Sequence, residues 1–293
     1  MDRSGDLLAG RYRVRELLGV GGMGSVWIAE HLALKHEVVV KFHEEGFRAA
    51  KGDRAYQRFL REARMLGSAP HRNVAELYEA GSNERGVPYL IMQRLHGETL
   101  AARLRRQRRL PLLDALRIAR AVASGLEAVH AAGVLHRDIK PENLFLHEDE
   151  ESGEIVPKLI DFGVARPSTK SGRVTLTGEV VGTPGYMAPE LARGKTDVDG
   201  RVDVYALCAT LYELLTGELP VAGESAMDRM IATVRQPPMP IRHYRGDLPG
   251  EVEQLIMAGL ARDPKQRVRD ARRLREWLDA SIEALVPSDT DEE

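Results

Sequence analysis

The spacing of apolar residues changes about one third of the way along the chain. From Tyr12 to Lys41, β-branched and aromatic residues form short runs broken by glycines, a pattern typical of strands joined by tight turns. Residues Tyr56–Leu66 instead place their apolar side chains at helical spacing. Two more strand-like runs follow, at Val74–Tyr78 and Val87–Met92. The pattern therefore predicts a sheet accompanied by one helix.

Beyond Gly97 the pattern becomes that of long helices. Apolar residues recur at helical spacing in four segments, Leu112–Ala132, Val202–Leu215, Met227–Val234 and Val252–Leu260. A strand-rich part followed by a helix-rich part predicts an α+β chain with two lobes that meet near residues 93–97. We expect a small, mainly antiparallel β N-lobe over residues 12–95 and a larger, mainly α C-lobe over residues 96–280.

Three shorter segments complete this outline. Leu144–Leu146 and Lys158–Ile160 are predicted to form a small hairpin that carries the acidic insert His147–Glu154. Residues 1–11 are expected to be an N-terminal extension. Residues 281–293 are expected to be an acidic tail without fixed structure.

Composition excludes several classes of protein. The 293 residues carry a formal net charge of −2, which argues against a dedicated nucleic-acid binder. A single cysteine, Cys208, excludes an internal disulfide framework and suits a reducing cytoplasm. No apolar run approaches the ~18–20 residues that span a bilayer. We expect a cytoplasmic chain with no membrane segment, although a longer, membrane-tethered parent protein stays open.

One segment, Val134–Leu144, concentrates residues suited to phosphoryl transfer. Asp138 can accept a proton from a hydroxyl, Lys140 can neutralise a phosphate, and Asn143 can bind a metal ion through its amide oxygen. Chance rarely places such residues within so few positions, so an ordinary polar loop is the weaker interpretation.

A glycine-rich loop lies near the start of the chain and fits the pattern G-x-G-x-x-G. Dinucleotide-binding folds share this pattern, but there the glycines open a helix. Here the residues that follow read as a second strand, which predicts a hairpin turn whose backbone N–H groups can approach phosphates. The segment is Leu18, Gly19, Val20, Gly21, Gly22, Met23, Gly24, Ser25 and Val26.

Two further charged positions follow in order. Lys41 ends an apolar strand, and its ammonium needs an anionic partner, for which Glu62 on the predicted helix is a candidate. Asp161, in the sequence Asp161-Phe162-Gly163, offers hard oxygen ligands together with Asn143, and such ligands suit Mg²⁺.

These motifs together resemble the protein-kinase family, specifically the bacterial eukaryotic-like serine/threonine kinases. The resemblance runs from Tyr12 to Leu278 in family order and implies the two-lobed protein-kinase fold, with ATP and Mg²⁺ (or Mn²⁺) as cofactors. It implies that Lys41, Glu62, Asp138 and Lys140 are catalytic and that Asn143 and Asp161 bind the metal.

The resemblance also implies how ATP is held. Besides the glycine loop and Lys41, the backbone of Gln93 and Leu95 would bind adenine next to a gatekeeper, Met92. The ring would lie between Val26, Val39 and Phe145.

A second implied region grips the protein substrate. The sequence from Gly182 to Glu190 is similar to the family's substrate platform, with Glu190 and Arg267 as a buried ion pair and Asp203 as the anchor of the catalytic loop. Thr183 would contact Asp138 and Lys140, which indicates the serine/threonine class.

The implied partners are proteins with serine or threonine acceptors. Thr175 and Thr177 resemble paired threonines that bacterial relatives autophosphorylate, which implies transient self-association. Cys208 stands where the family usually has glycine, and Val39 where alanine is usual. A catalytically inactive scaffold and a small-molecule phosphotransferase are the alternatives, but no catalytic group is missing and the platform is complete.

Overall fold

The computed structural model describes residues 2–21, 24–43, 54–162 and 183–286. The first part contains six strands and a helix, namely β1 (Leu7–Leu8), β2 (Tyr12–Gly21), β3 (Gly24–His31), β4 (Glu37–His43), α1 (Arg54–Gly67), β5 (Leu77–Ser82) and β6 (Pro88–Gln93). The strands form one antiparallel sheet in the order β1-β2-β3-β4-β6-β5. The predicted sheet with one helix is confirmed.

Successive side chains of a strand point to opposite faces, and this alternation gives the sheet one buried face and one accessible face. In β4, Val38, Val40 and Phe42 are fully buried on one face, as expected for a strand with a period of two residues. Lys41 lies between them on the other face, which turns toward the second part of the chain and is the face that a ligand can reach.

Residues before Tyr12 contribute to this sheet through strand β1. Leu8 is buried in the same apolar cluster as Phe42 and pairs with Tyr12. The guanidinium of Arg3 lies 4.1 Å from the centroid of the Phe42 ring. The boundary predicted at Tyr12 therefore passes through the sheet.

The second part is mainly helical. It contains a three-stranded sheet and seven helices in the described ranges, namely β7 (Gly97–Thr99), α2 (Leu100–Gln107), α3 (Leu112–Ala131), β8 (Leu144–Glu148), β9 (Ile155–Leu159), α4 (Pro189–Ala192), α5 (Arg201–Thr216), α6 (Ala226–Arg235), α7 (Gly250–Gly259) and α8 (Ala271–Glu283). No helix in these ranges is both long and apolar enough to cross a bilayer.

Helix α5 is the centre of this part. Every residue from Val202 to Tyr212 is buried, which is the pattern of a helix surrounded by protein on all sides. Helices α3, α7 and α8 pack around it. Helix α8 continues to Glu283, so the boundary predicted at residue 280 falls inside a helix.

Two predicted boundaries shift by a few residues. Strand β5 begins at Leu77, whereas Val74 forms a single bridge with Leu159 of β9. The predicted hairpin is present as β8 and β9; β8 extends two residues into the acidic insert, and β9 begins directly after it. Because β8 follows Asn143 and β9 precedes Asp161, this hairpin places the two predicted metal ligands.

Candidate active site

The loop before β8 is held by a buried carboxylate. Asp203 of α5 accepts hydrogen bonds from the backbone N–H groups of His136 (2.9 Å) and Arg137 (2.7 Å) and from the ring of His130 (2.8 Å). Burial alone would raise the pKa of Asp203, but the His130 hydrogen bond and the surrounding positive charge outweigh it and lower the pKa. The carboxylate is therefore ionised and fixes the loop backbone, as the resemblance implied.

This anchoring keeps the loop in an uncommon conformation. Arg137 has a φ of 62°, in the left-handed region that non-glycine residues rarely occupy. Such a residue costs about 1–3 kcal/mol, which the bonds to Asp203 help to offset. Asp138, the next residue, is buried.

Three polar side chains converge around Asp138. Asn143 donates from Nδ2 to the backbone oxygen and to Oδ2 of Asp138, both at 2.8 Å. Lys140 Nζ lies 3.5 Å from Oδ2 and donates to Thr183 Oγ1 at 2.6 Å. The Thr183 hydroxyl in turn lies 3.5 Å from Asp138 Oδ1. The expected contacts of Thr183 with Asp138 and Lys140 are present.

The orientation of Asn143 matters for metal binding. Because its amide nitrogen donates twice to Asp138, its amide oxygen is left for another partner. Asp161 adds a carboxylate, 38% exposed, two residues after the end of β9. An amide oxygen and a carboxylate form a hard donor set that fits Mg²⁺ better than a soft metal ion.

Lys41 has a different partner from the one expected. Its ammonium forms an ion pair with Asp161 Oδ1 at 2.8 Å, whereas Glu62 lies on α1 with Oε1 3.9 Å from Arg58 Nε. The predicted Lys41–Glu62 pair is thus not formed in this structure. A mostly buried ammonium needs a close carboxylate, and Asp161, with a φ of 61°, supplies it.

The surroundings of Glu62 agree with that arrangement. Burial raises the pKa of Glu62, and only the nearby arginines 58, 137 and 61 oppose the rise.

Next to Asp161, ring packing connects the segment before β8 with the segment after β9. The rings of His136 and Phe162 lie 4.6 Å apart, and His136 Nε2 is 2.9 Å from the carbonyl oxygen of Ile160. Leu66 and Leu77 belong to the same apolar core. Leu66, Leu77 and Phe162 therefore share one apolar core, and the ring of His136 packs against Phe162.

A cavity of about 190 Å³ opens between the two parts of the chain beside Lys41. Its wall is mostly apolar, as suits a flat aromatic ring. Nine of the lining residues were predicted from the sequence, namely Leu18, Val26, Val39, Lys41, Met92, Gln93, Leu95, Phe145 and Asp161. The sequence did not single out Ala75 and Ile160, which complete the wall.

The polar edge of the cavity is the segment after β6. The Gln93 N–H group is already bonded to the carbonyl oxygen of Glu76 at 2.9 Å. A base bound there can therefore use the carbonyl of Gln93 but not its N–H group. Leu95 lies two residues further along the same wall.

The glycine loop is a hairpin turn between β2 and β3, as predicted, with Gly21 opposite Gly24. A Cβ atom on Gly19 or Gly21 would meet no atom within 4 Å, so these two face open space where phosphates can approach. Gly24 has another role, because its φ is 142° and a Cβ there would overlap the backbone oxygen of Phe42. Val20 is exposed at the tip, and Ser25 is buried under a hydrogen bond from Trp27.

The predicted ion pair behind the platform is present and buried. Arg267 donates to both oxygens of Glu190, at 2.7 and 3.0 Å, and also to the carbonyl oxygens of Arg201 and Ala261. Its guanidinium lies 5.1 Å from the Tyr205 ring. Four of the five N–H donors of this arginine are thereby used within the protein, which fits a structural brace.

Some predictions fall outside the described residues. These are Gly22 and Met23 of the glycine loop, Gly163, the paired threonines Thr175 and Thr177, and Gly182. Conversely, the structure adds His130 to the site through its bond to Asp203. Nothing in the apolar pattern of α3 distinguishes His130 from an ordinary surface histidine.

Comparison with known proteins gives a consistent result. Residues 12–277 match the family model described as protein kinase domain. The chain is 33% identical over 271 residues to serine/threonine-protein kinase PknB of Mycobacterium leprae, covering 92% of this chain and 42% of that protein. It is 35% identical to PknA of Mycobacterium tuberculosis, covering 91% of this chain and 60% of that one.

The chain thus spans about half the length of these curated relatives. Among solved structures, the crystal structure of the Mycobacterium tuberculosis PknI kinase domain is similar, with a TM-score of 0.75 and 29% identity. The match covers 96% of this chain and 99% of that one. The two-lobed fold with a curled antiparallel sheet and a helical second lobe is the fold of that structure.

Proposed function

This chain belongs to the protein kinase domain family, and on that premise we propose that it transfers the γ-phosphate of ATP to serine and threonine hydroxyls of proteins. The observation that supports the proposal best is the convergence of Asp138, Lys140, Asn143 and Thr183 beside a cavity bounded by Lys41 and Asp161. No residue of this set is replaced by one that would disable it.

Asp138 orients the acceptor hydroxyl and takes its proton. Its side chain is held by Asn143 and lies near Lys140, so both its position and its negative charge are stabilised. General-base assistance of this kind contributes about 10²–10⁴ in rate. Lys140, whose ammonium lies between Asp138 and Thr183, neutralises charge on the transferring phosphoryl group.

Nucleotide binding is assigned to the cavity and the glycine loop. Lys41 pairs with the phosphates, while Val26, Val39 and Phe145 enclose the base. Mg²⁺ bound through Asn143 and Asp161 would supply positive charge next to the phosphates, with Mn²⁺ as an alternative ion. In this scheme Lys41 exchanges its present carboxylate partner for nucleotide oxygens.

The serine/threonine class rests on Lys140. Lys140 donates a 2.6 Å hydrogen bond to Thr183, directly beside the proposed general base Asp138. This geometry favours a short aliphatic hydroxyl that reaches down to Asp138. The names of the relatives PknA and PknB agree with this class.

Regulation is proposed at Thr175 and Thr177. Phosphate on either would add about −1.5 to −2 charge, which arginines such as Arg137 can bind. Because one molecule would present this segment to the cleft of another, transient self-association is part of the proposal. The reaction is assigned to the cytoplasm, where ATP and protein substrates occur together.

The test is transfer of radiolabel from γ-labelled ATP to a generic basic protein and to the chain itself. The wild-type chain should label both, whereas Asp138→Asn and Lys41→Met should label neither while keeping their folded circular-dichroism spectra. If wild type binds ATP yet labels no polypeptide, the chain is a nucleotide-binding scaffold. If it labels only small alcohols, it is a small-molecule phosphotransferase.

Phosphopeptide mass spectrometry tests the regulatory part separately. Wild-type protein should carry phosphate on Thr175 or Thr177, and Asp138→Asn protein should not. Active protein without phosphate at either position would remove this part of the proposal and leave the transfer reaction intact.

A further inference from the structure

A second cavity, distant from the glycine loop, lies where α2, the start of α3 and the β8–β9 hairpin meet. Its volume is about 460 Å³, and nothing in the proposed reaction uses it. Its floor is apolar, with Leu110, Leu146 and Val156 buried and Ile155 about half exposed at the rim. We call this cavity the hairpin groove.

The rim of the hairpin groove carries an excess of positive charge. Four arginines line it, Arg72, Arg103, Arg117 and Arg120, against two carboxylates, Asp114 and Glu154. Three of the arginines have carboxylate partners, at Glu154, Glu98 and Asp279. Arg117 is exposed and forms no ion pair with the described residues. The guanidinium of Arg117 is therefore available to bind an anionic ligand.

The course of α8 leads the chain toward this groove. Helix α8 packs antiparallel on α3, since Arg275 pairs with Glu127 (2.9 Å) and Asp279 pairs with Arg120 (2.7 Å). The chain continues for seven residues beyond Asp279, the first four of them in α8, and at helical rise this advance of about 10 Å brings Val286 level with the first turns of α3. Those turns supply Asp114, Arg117 and Ile118 to the groove, and Arg120 belongs to both contacts.

The residues that follow Val286 have the matching charge. The sequence Pro287-Ser288-Asp289-Thr290-Asp291-Glu292-Glu293 carries four carboxylates and no basic side chain. We propose that this segment, residues 287–293, docks in the hairpin groove of the same chain and pairs with its arginines.

Length and tethering support an intramolecular site. Seven extended residues span roughly 23–25 Å, enough to cross a groove that begins beside the start of α3. A tethered segment has an effective concentration in the millimolar range, so weak exposed ion pairs suffice to hold it. The contacts should weaken as salt screens the charges.

The location also connects the groove with the candidate active site. Leu146 and Val156 belong to the hairpin whose first strand follows Asn143 and whose second precedes Asp161. An occupant of the hairpin groove therefore touches the element that carries both proposed metal ligands.

Disulfide trapping in the full chain tests the proposal. We would introduce Ile155→Cys at the groove rim and Thr290→Cys in the segment; native Cys208 is buried and should not compete. Mild oxidation should close the intramolecular disulfide about tenfold faster than in the matched pair Met239→Cys and Thr290→Cys. Met239 has nearly the same exposure as Ile155 but does not line the groove.

Charge changes then separate docking from random collision. The rate should fall to that of the control pair when Asp289, Asp291, Glu292 and Glu293 are changed to their amides, or with Arg117→Glu. Arg235→Glu, an exposed arginine on α6, should leave the rate unchanged. The proposal would be overturned if the two cysteine pairs closed at equal rates, or if these charge changes left the rate of disulfide closure unchanged. Disulfide-linked dimers in place of closed monomers would assign the groove to a second copy.

A second readout leaves the groove unaltered. A nitroxide on Thr290→Cys should broaden the amide resonances of Ile118 and Ile155, and about 0.5 M salt should restore them because the Debye length is then only a few ångströms. Unbroadened resonances at low salt would refute docking even if the double-cysteine variants failed to fold.

Discussion

The sulfur of Cys208 on α5 occupies the space into which a side chain on Gly259 of α7 would extend. A Cβ atom on Gly259 would overlap this sulfur and lie 2.9 Å from the Cys208 Cβ. The side chain of Cys208 on α5 is matched here by the absence of a side chain on α7. The two helices approach closely because of this match.

We expect Gly259→Ala to destabilise the protein by about 1–3 kcal/mol through overpacking. Adding Cys208→Gly should recover most of that loss, although glycine inside α5 costs about 1 kcal/mol by itself. Urea unfolding of the four members of this cycle measures the coupling between the two positions.

Gly246→Ala is the control, because the nearest atom to an added Cβ there is 3.9 Å away. It should change the free energy of unfolding by less than about 0.5 kcal/mol. Additive effects of Gly259→Ala and Cys208→Gly would show that the two residues do not compete for space.

How far the sequence alone predicts this molecule depends on the kind of feature. Four of the seven α-helices described in the second part, α3, α5, α6 and α7, were predicted to within one or two residues because burial imposes their period. The strand predicted at Val74–Tyr78 is found at Leu77–Ser82 instead, because apolar spacing does not show which residues pair across a sheet. The partner of Lys41 depends on the conformation that brings Asp161 to it, and no local pattern encodes that choice. His130 and the match between Cys208 and Gly259 are long-range contacts, which spacing along one helix cannot reveal.

The buried carboxylate of Asp203 predicts a change in both catalysis and stability. Asp203→Asn replaces an acceptor by an amide that must present its NH₂ group to one of the donors now bonded to Asp203. We expect kcat to fall by about 10² or more while KM for ATP changes little, since the loop and not the nucleotide cavity is released. Steady-state kinetics with radiolabelled ATP measure both constants.

The pH dependence of the free energy of unfolding shows whether the negative charge of Asp203, and not only its shape, stabilises the fold. The pKa of Asp203 is lowered in the folded protein from its ordinary value of 3.8. Its ionised form therefore stabilises the fold above about pH 4, and this contribution is lost as pH falls through the folded pKa. The difference in free energy of unfolding between wild type and Asp203→Asn should shrink as pH is lowered from 6 to about 3. A constant difference would mean that the charge contributes nothing.

The Glu190–Arg267 pair predicts an asymmetry between single and double changes. Arg267→Met leaves the Glu190 carboxylate buried without its partner and should cost about 3–5 kcal/mol. Adding Glu190→Leu removes the stranded charge and should recover at least half of that cost. Thermal unfolding of the single and double variants checks this, and an exposed pair serves as control: Arg272→Met beside Glu276 should cost less than about 1 kcal/mol.

If the double variant were no more stable than Arg267→Met, the loss would come from the other bonds of Arg267. Those are its hydrogen bonds to the carbonyl oxygens of Arg201 and Ala261, which methionine cannot replace. The comparison therefore divides the role of the guanidinium between the ion pair and the backbone brace.

Lys41 can pair with Asp161 or with Glu62, and this choice predicts opposite changes in kcat/KM for substitutions of Glu62 and Arg58 on α1. In this structure Lys41 binds Asp161, and Glu62 lies closer to Arg58. If phosphoryl transfer requires Glu62 to reach Lys41, Glu62→Gln should lower kcat/KM by about tenfold or more. Arg58→Gln should raise it by about twofold, because it removes a surface pair worth about 0.3–0.5 kcal/mol that holds Glu62 away. Arg64→Gln, an exposed arginine on the same helix, should have no effect. Wild-type kinetics for Glu62→Gln would show instead that Lys41 works from its contact with Asp161 alone.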